Sequence, residues 1–450
     1  MTLKMPDSTE IHRVNYLDAW HSTTEKKAGG WSLEMIDPKN PCGGSSNWKS
    51  SENAIGGTPG KINSINGENP DKESPELLAT NALNDTTLLL SFSENITSTD
   101  VTKVVLGFEP TLSLSRLTFS GSNSVLVYLV TKLQLRTIYE VRISGLYDCS
   151  GNSSPTQKGR FGLPEAAENN DVVINEVLFD SYTGYSSDYV EIYNRSPKVL
   201  NLNNWSLCTY DPLKDTLSGC KKLTLEATAL LPEGMKLMNK NNSEIQQLYP
   251  KNNPKAFLKM ETLPTFSNDE GVVILINDSG VIIDRFDYNA DMHNALIKDP
   301  DGVALERLDY ERSTQDPTNW HSAAQTVGFG TPGLPNSQFF QSADFSSMVT
   351  LEPQTFSPDN DGFDDVLNIN YELDKSGYVA SISIFDAEGR KVKDLIKSQL
   401  LETKGTISWE GTSDNGLRAN SGIYVIFFEM YHPDGETQQF KKAAVLAVKF

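Results

Sequence analysis

Residues 302–337 read GVALERLDYERSTQDPTNWHSAAQTVGFGTPGLPNS, and this stretch has a second copy near the start of the chain. Residues 30–64 read GWSLEMIDPKNPCGGSSNWKSSENAIGGTPGKINS. The copies align at an offset of 272 residues and share Glu34 with Glu306, Asp37 with Asp309, Asn47-Trp48 with Asn319-Trp320, Tyr16 with Tyr288 and His21 with His293. After a slip of one residue, Thr58-Pro59-Gly60 matches Thr331-Pro332-Gly333. An internal repeat of this length predicts a modular chain.

Composition bounds the class of protein. A chain of 450 residues predicts about three domains, and 38% hydrophobic residues are enough to form cores. The net charge of -20 argues against a nucleic-acid partner, because the phosphate backbone requires a basic surface. No apolar run is long enough to predict a membrane span.

Short runs of β-branched and aromatic residues separated by Asn, Asp, Gly, Ser and Pro predict an all-β chain of tandem immunoglobulin-like β-sandwiches. Polar joints at 63–74, 163–170 and 334–348 predict the domain boundaries. The predicted segments are a partial unit at 1–66, a unit at 67–164, a complete copy of the repeat at 170–338 and a terminal unit at 349–450.

The first copy matches only the second half of the complete one. We therefore expect residue 1 to be a truncation, an internal start or an expression boundary, with any signal peptide upstream. A half-sandwich leaves strand edges uncovered, so we expect residues 1–66 to be disordered, domain-swapped or completed by another chain.

The four cysteines predict an oxidising compartment. Cys208 and Cys220 bracket a short loop, as a hairpin-spanning disulfide would, and closing it contributes about 3 kcal/mol in the chain-entropy model. Cys42 and Cys149 lie in turn-like segments and are a second candidate pair; free thiols are the alternative.

Enzymatic and cofactor motifs are absent or incomplete. Gly328–Gly333 spells GxGxxG, but the prolines around it predict a turn and not the helix that a dinucleotide site needs. His21 and His293 coincide in the repeat, which predicts a shared polar contact. Glu176, Glu191 and Asp188 resemble a catalytic carboxylate set, but we expect them to face solvent or to satisfy turns.

The best chemical candidate is the loop Ser357–Asp365, SPDNDGFDD. Alternating carboxylates around a glycine turn suit Ca²⁺, which takes six to eight oxygens. The alternative is an Asx-rich turn in which the carboxylates accept backbone N–H groups. The candidate metal ligands are Asp359, Asp361, Asp364 and Asp365.

The third segment resembles a lamin-tail domain, an immunoglobulin-like sandwich also found in bacterial surface proteins. The residues that carry this resemblance are 173–177 (VINEV), 188–192 (DYVEI), Asn194, 202–207 (LNNWSL), 303–308 (VALERL), Asn319-Trp320 and 330–333 (GTPG). Residues 1–66 resemble the second half of that family. Residues 67–164 resemble a bacterial Ig-like module through 88–95 (LLLSFSEN) and 139–152.

The last segment resembles the FlgD-like Ig domain and the related C-terminal sorting domains of proteins exported by the Bacteroidetes type IX system. The matching residues are 356–365 (FSPDNDGFDD), Ile384-Phe385, Gly389, 409–411 (WEG), Asn415-Gly416 and 421–424 (SGIY). The resemblance implies an export signal that secretion machinery recognises at the outer membrane.

Together these features predict a non-enzymatic, secreted or cell-surface modular protein that acts as a spacer or in adhesion. Its expected partners are the secretion machinery and an unidentified surface protein or glycan. The alternative is the accessory region of an extracellular hydrolase, a nuclease or phosphatase, whose catalytic domain lies upstream of residue 1.

Overall fold

The computed structural model describes residues 1–8, 10–14, 16–40, 43–97, 103–148, 150–340 and 346–447, and most of its regular structure is β-strand. The described residues form ten sheets, which confirms the predicted all-β class of tandem sandwiches. Two compact units divide the chain, Met1–Pro164 and Glu165–Phe450. The finer domain boundaries stay a prediction.

In the first part of the Met1–Pro164 unit, the described residues form four short strands and one turn of α-helix. They are β1 (Thr2–Lys4), β2 (Glu10–Arg13), α1 (Thr24–Lys27), β3 (Leu33–Met35) and β4 (Trp48–Ser50). Strands β1 and β2 pair with each other, and so do β3 and β4. Thr23 caps α1, because its hydroxyl accepts a hydrogen bond from the Lys26 N–H at 3.2 Å.

The second part of this unit is a sandwich. Its strands are β5 (Leu77–Asn84), β6 (Thr87–Phe92), β7 (Ile96–Thr97), β8 (Val105–Glu109), β9 (Leu114–Ser120), β10 (Ser124–Leu129), β11 (Tyr139–Ser144), β12 (Tyr147–Asp148) and β13 (Gln157–Phe161). One sheet has the order β5-β6-β10-β9, a second has β13-β11-β8, and β12 pairs with β7. Alternate residues of β6 and β10 point inward, as the two-residue period of a half-buried strand requires.

The Glu165–Phe450 unit begins with a larger sandwich. Its elements are β14 (Val172–Leu178), β15 (Tyr189–Asn194), β16 (Leu200–Asn201), β17 (Ser206–Asp211), β18 (Thr216–Lys222), β19 (Ala229–Leu230), β20 (Met235–Asn239), α2 (Asn242–Leu248), β21 (Phe257–Lys259), β22 (Glu270–Ile276), β23 (Ile282–Asn289), β24 (Leu305–Arg307) and β25 (Trp320–Ser322). A six-stranded sheet has the order β21-β20-β15-β14-β24-β25, a four-stranded sheet has β18-β17-β22-β23, and β16 pairs with β19.

The six-stranded sheet carries apolar side chains on both faces, so every residue of β14 is buried. On one face Trp320 stacks on Phe286 with ring centroids 3.7 Å apart, and its indole N–H donates to the Thr314 carbonyl at 2.8 Å. On the other face Tyr189 meets Tyr249, which follows α2. A polar side chain on a strand that is covered on both faces must find all its hydrogen-bond partners within the protein.

The rest of this unit is a second sandwich. Its strands are β26 (Met348–Glu352), β27 (Thr355–Phe356), β28 (Leu367–Glu372), β29 (Val379–Asp386), β30 (Lys391–Leu400), β31 (Lys404–Trp409), β32 (Gly422–Tyr431) and β33 (Thr437–Leu446). The sheets have the orders β26-β28-β31 and β27-β33-β32-β29-β30. Trp409 is fully buried between them, against Phe356 and Tyr424.

Hydrogen bonds join the two sandwiches of this unit. Gln338 donates from its side-chain amide to the Leu401 carbonyl at 2.9 Å and accepts the Gly377 N–H at 3.1 Å. The Thr403 N–H donates to the Ser337 carbonyl at 2.9 Å.

The described residues of both units also form short 3-10 helices, at Asp18–Trp20, Gly44–Asn47, Pro254–Ala256, Ala290–Met292, Pro317–Asn319 and Gln325–Val327.

Candidate functional site

The predicted cation loop connects β27 to β28. Asp359, Asp361 and Asp365 each bring a carboxylate oxygen within 4.8 Å of the other two. Asp364 does not join this group; it has a φ of 51°, and its backbone carbonyl accepts a hydrogen bond from the Ser357 N–H at 2.8 Å. The structure therefore brings together three of the four predicted ligands.

The loop's own backbone already uses these carboxylates. Asp365 accepts the Asn360 N–H at 2.6 Å on one oxygen and the Gly362 N–H at 2.8 Å on the other. Asp361 accepts the Phe363 N–H at 2.9 Å. This is the geometry of the Asx-rich turn. Three carboxylates would supply only part of the six to eight oxygens of a Ca²⁺ site, so backbone oxygens or water would have to supply the rest.

The cysteine pair at the β17–β18 hairpin is joined as predicted: the sulfur atoms of Cys208 and Cys220 form a disulfide. Cys208 is fully buried, and its neighbour across the sheet is Ile274 on β22. The second candidate pair, Cys42 and Cys149, lies outside the described residues.

A second acidic group, which the sequence reasoning missed, lies in the Met1–Pro164 unit. Asp71, Glu94 and Asp148 bring carboxylate oxygens within 4.8 Å of one another. Burial, and then the negative charges of Asp71 and Asp148, raise the pKa of Glu94 to about 7. The three residues are far apart in the sequence, so no spacing could have predicted their proximity.

Three glutamates meet inside the six-stranded sheet, and we call them the buried glutamate cluster: Glu176 on β14, Glu191 on β15 and Glu306 on β24. Glu176 is the pairing partner of both Glu191 and Glu306, and all three are fully buried. The expectation that Glu176 and Glu191 face solvent is wrong. Asp188 lies apart and accepts the Ser181 hydroxyl at 2.7 Å.

Most hydrogen-bond donors to the buried glutamate cluster come from the segment 331–338, which follows β25; the others are the Tyr189 hydroxyl, at 2.6 Å from Glu176, and the Asn175 side-chain amide, at 2.9 Å from Glu191. The Thr331 N–H donates to Glu176 at 3.0 Å, and the Thr331 hydroxyl donates to Glu306 at 2.7 Å. The Gly333 N–H donates to Glu191 at 2.6 Å. The Ser337 hydroxyl and the Gln338 N–H donate to Glu306 at 2.8 and 2.9 Å. The other half of the expectation, that Glu176 and Glu191 satisfy a turn, agrees with these contacts; it did not include Glu306.

Burial controls the protonation of this cluster. It raises the pKa of Glu191 to about 8, and it raises the pKa of Glu306 above its ordinary value. Burial raises the pKa of Glu176 well above its ordinary value, and the negative charges of Glu306 and Glu191 raise it further. Because an ionised carboxylate is costly away from water, burial favours the protonated form of each of these carboxyl groups.

The paired histidines also behave alike. His293 Nδ1 lies 3.0 Å from the Ser322 hydroxyl, and His21 Nδ1 lies 3.0 Å from the Ser50 hydroxyl. The predicted shared contact is thus confirmed. Burial, and secondarily the nearby His321, lower the pKa of His293 from 6.5 to about 4.

These opposite shifts predict a stability optimum. Glu191 has a folded pKa of about 8 against an ordinary 4.5, so its contribution is complete below pH 4.5 and is lost as pH rises through about 8. His293 acts in reverse, because its contribution is complete above pH 6.5 and is lost as pH falls toward 4. Calorimetry across pH 3–9 should therefore show the highest melting temperature of the first sandwich of the Glu165–Phe450 unit between about pH 4 and pH 8.

Glu191→Gln is the control for this prediction, since the amide does not titrate. The variant should show a smaller alkaline decline, because Glu176 and Glu306 still titrate, and it should keep the acid decline unchanged. An unchanged alkaline decline would show that Glu191 does not cause it.

The internal repeat extends to these contacts. The Thr58 hydroxyl donates to Glu34 at 2.6 Å, and the Ser64 hydroxyl donates to it at 2.7 Å. These bonds correspond to those that Thr331 and Ser337 make with Glu306. Burial raises the pKa of Glu34, but hydrogen bonds from Thr58, Ser64 and Ser51 outweigh it and lower the pKa to about 2.

Within the described ranges, no helix is both long enough and apolar enough to cross a membrane.

Comparisons with known proteins bear on two segments. Residues 165–290 match the family model of the Lamin Tail Domain, and residues 350–446 match that of the CHU_C Type IX secretion signal domain. No curated protein matches the chain significantly.

Solved structures also align with the chain, at low similarity. The N-terminal part of the bacterial S-layer protein SbsC aligns at 13% identity over 48% of this chain and 44% of that one, with a TM-score of 0.19. Dimeric latent PorU from Porphyromonas gingivalis aligns at 11% identity over 85% of this chain and 33% of that one, with a TM-score of 0.19. PorZ, an essential bacterial surface component of the type IX secretion system of Porphyromonas gingivalis, aligns at 10% identity over 90% of this chain and 63% of that one, with a TM-score of 0.19.

The chain thus spans less than two thirds of the length of each of these three structures, and at such TM-scores the alignments support no argument about function. The two family matches carry the conclusion. The lamin-tail and type IX resemblances inferred from the sequence are confirmed for these segments, and the secretion signal domain identifies the protein as an extracellular or cell-surface protein.

Proposed function

We propose that the protein is a non-enzymatic surface protein whose sandwiches act as a spacer or adhesive module and whose terminal domain directs export. The observation that carries this proposal is the match of residues 350–446 to a secretion signal domain. That segment contains most of β26 and all of β27–β33, so the signal would be presented by a folded sandwich.

The burial and the hydrogen bonding of the carboxylates support a structural role for them. The buried glutamate cluster is fully buried, and each member accepts hydrogen bonds from the segment 331–338. A catalytic acid–base pair instead needs a cleft in which a substrate can reach it. In the loop Ser357–Asp365, the carboxylates of Asp365 and Asp361 accept hydrogen bonds from the backbone of their own turn.

Export provides the test of this proposal. In a bacterium that has a type IX system, the full chain should reach the cell surface or the medium, and a chain lacking residues 349–450 should stay inside the cell. A reporter protein fused to residues 349–450 should be exported. Surface proteolysis and immunoblotting measure all three. Export of the shortened chain at the full-length level would contradict the proposal, and nuclease or phosphatase activity in the purified full chain would contradict its non-enzymatic part.

We also propose that the loop Ser357–Asp365 binds Ca²⁺ weakly, in the range of about 10⁻⁴–10⁻³ M typical of extracellular modules. Millimolar Ca²⁺ should then raise the melting temperature of the C-terminal sandwich, and Asp359→Asn combined with Asp361→Asn should remove the rise. Asp364→Asn is the matched control, because its carboxylate lies outside the group. Equal melting temperatures with Ca²⁺ and with a chelator would leave the loop as an Asx turn only.

A further inference from the structure

Two histidines meet at the joint between the two sandwiches of the Glu165–Phe450 unit. His321 lies on β25 of the first sandwich, and His432 follows β32 of the second. Both imidazoles face the buried Gly377: a methyl group placed there would lie 3.0 Å from Nε2 of His321 and 3.3 Å from Nε2 of His432. Gly377 also donates its N–H to Gln338, in one of the hydrogen bonds that join the sandwiches. A change at either ring therefore acts directly on this joint.

The surroundings of His321 fit its neutral form. Its Nδ1 lies 2.9 Å from the Ser322 carbonyl, which can only accept, so Nδ1 carries the hydrogen. Its Nε2 faces the side-chain amide nitrogen of Asn294 at 3.5 Å, and the oxygen of that amide accepts the Leu296 N–H at 3.0 Å. A proton on Nε2 would therefore face a donor on one side and a second histidine on the other.

The surroundings of His432 instead fit its charged form. Its Nε2 lies 3.1 Å from the Ser376 carbonyl, and its Nδ1 lies 2.9 Å from a carboxylate oxygen of Asp434. Lys375, at 2.6 Å, and then the Glu436 N–H hold the pKa of Asp434 well below its ordinary value. Asp434 therefore stays ionised in mild acid and can pair with a protonated imidazole.

The titratable groups nearest to the two rings come from four segments. They are His293, Glu306 opposite His321 in the β24–β25 ladder, Asp374, Lys375 and Tyr378 around Gly377, and Asp434 and Glu436 in the β32–β33 turn. Glu306 is already engaged by the donors of segment 331–338, and Lys375 already binds both Asp434 and Glu436. Burial lowers the pKa of His321, the Ser322 carbonyl raises it, and the charge of His432 lowers it further.

We propose that this joint is an acid-sensitive hinge, which is closed while His321 is neutral and opens when His321 takes up a proton beside the protonated His432. Histidine is the side chain whose charge ordinarily changes in mild acid. The second positive charge would enter the joint with its N–H facing the donor Asn294, and opening lets the ring reach water, where the charge costs less. The terminal sandwich would then change its orientation relative to the first sandwich.

The sign of the pH dependence follows from the lowered pKa of His321. Neutral His321 stabilises the closed joint fully above the ordinary pKa of 6.5, and this contribution is lost as pH falls through the lower pKa of the closed state. Because His321 takes up one proton, the opening equilibrium should rise by at most about tenfold for each pH unit.

Hydrogen–deuterium exchange of the full chain at pH 7.5 and pH 5.0, corrected for the intrinsic exchange rate at each pH, tests this hinge. The reporters are the N–H groups of Gly377 and Thr403, which donate across the joint to Gln338 and Ser337. Protection of both reporters should fall about tenfold or more at pH 5.0, whereas the N–H groups inside β14 and β32 should keep their protection.

Three variants assign the response. His321→Asn can still donate to the Ser322 carbonyl but cannot take up a proton, so its reporters should be equally protected at both pH values. His432→Gln removes the neighbouring charge and should show a smaller fall than the wild type. His21→Gln is the matched control, because His21 makes the same type of serine contact in the Met1–Pro164 unit, and it should respond like the wild type.

Three results would exclude the hinge. Unchanged protection of the wild-type reporters at pH 5.0 would show that the joint does not respond to acid. An equal loss inside β14 and β32 would show that whole sandwiches unfold. A fall in His321→Asn or His432→Gln as large as that of the wild type would assign the response to other groups. If His321→Asn already loses protection inside β14 at pH 7.5, His432→Gln decides the test, because its ring lies on the other sandwich.

Discussion

Replacing Glu306 by alanine should destabilise the first sandwich of the Glu165–Phe450 unit by about 3 kcal/mol or more. The side chain accepts hydrogen bonds from the Thr331 hydroxyl, the Ser337 hydroxyl and the Gln338 N–H in a fully buried site. Alanine would leave the Ser337 hydroxyl and the Gln338 N–H without this acceptor where water does not reach, while the Thr331 hydroxyl can still donate to Glu176 at 3.3 Å. Each buried unsatisfied group costs about 1–3 kcal/mol. Because Gln338 also bonds to Leu401 and Gly377, the loss should loosen the contact with the C-terminal sandwich.

Urea unfolding followed by tryptophan fluorescence measures the loss, since Trp320 and Trp409 report on the two sandwiches. The matched control is Glu34→Ala. It removes the same type of side chain from the first copy of the repeat, residues 30–64, where its partners Thr58 and Ser64 lie nearer to solvent. Its effect should be less than half as large. Equal losses of unfolding free energy in the two variants would show that burial of the site does not determine the size of the loss.

The internal repeat explains why so much of the architecture could be predicted. Residues at the same offset make the same contacts in both copies, as the pairs His21–Ser50 and His293–Ser322 demonstrate. Strand positions and the β17–β18 disulfide follow from local patterns, namely alternation and a short loop between cysteines. Each of these signals acts over a few residues, which is the range that sequence patterns describe.

The buried glutamate cluster could not be predicted in this way. In the segment VINEV a glutamate reads as an outward-facing residue, because glutamate is almost never fully buried unless it is paired. Besides the nearby Tyr189 hydroxyl, the donor to the buried Glu176 is Thr331, which is 155 residues further along the chain. Only the fold brings them together. The repeat did hold one signal, since Glu306 and Thr331 recur together as Glu34 and Thr58.

The loop Ser357–Asp365 shows a second limit of prediction from sequence patterns, and here the residues concerned are close together in the chain. Spacing alone selected Asp359, Asp361, Asp364 and Asp365 as ligands, but a left-handed backbone at Asp364 turns that residue out of the group. Spacing gives the order of carboxylates along the chain, whereas backbone dihedral angles decide which of them converge. The hydrogen bonds between the two sandwiches had no sequence signal, because the side-chain amide of Gln338 bonds to backbone groups of Gly377 and Leu401.

Arg307→Met should cost about 3–5 kcal/mol, the range for removing one member of a buried ion pair. The Arg307 guanidinium is fully buried and lies 3.6 Å from Asp284. It also donates to the Ile174 carbonyl at 2.7 Å and to the Arg312 carbonyl at 2.9 Å. Burial lowers the pKa of Arg307 to about 10 and raises that of Asp284, so each charge depends on the other to remain inside the sheet. Methionine keeps most of the volume and removes the charge.

The control is Arg312→Met, which breaks a partly exposed pair with Asp316 at 2.7 Å. Pairs of this exposed kind contribute about 0–1 kcal/mol, so the two methionine variants should differ by several-fold in their loss of unfolding free energy in urea. The Arg307 variant should also lose stability further as pH rises above the pKa of Asp284, because the remaining carboxylate must then ionise without a partner. A loss below about 1 kcal/mol for Arg307→Met would mean that packing against Trp320, and not charge, holds these strands together.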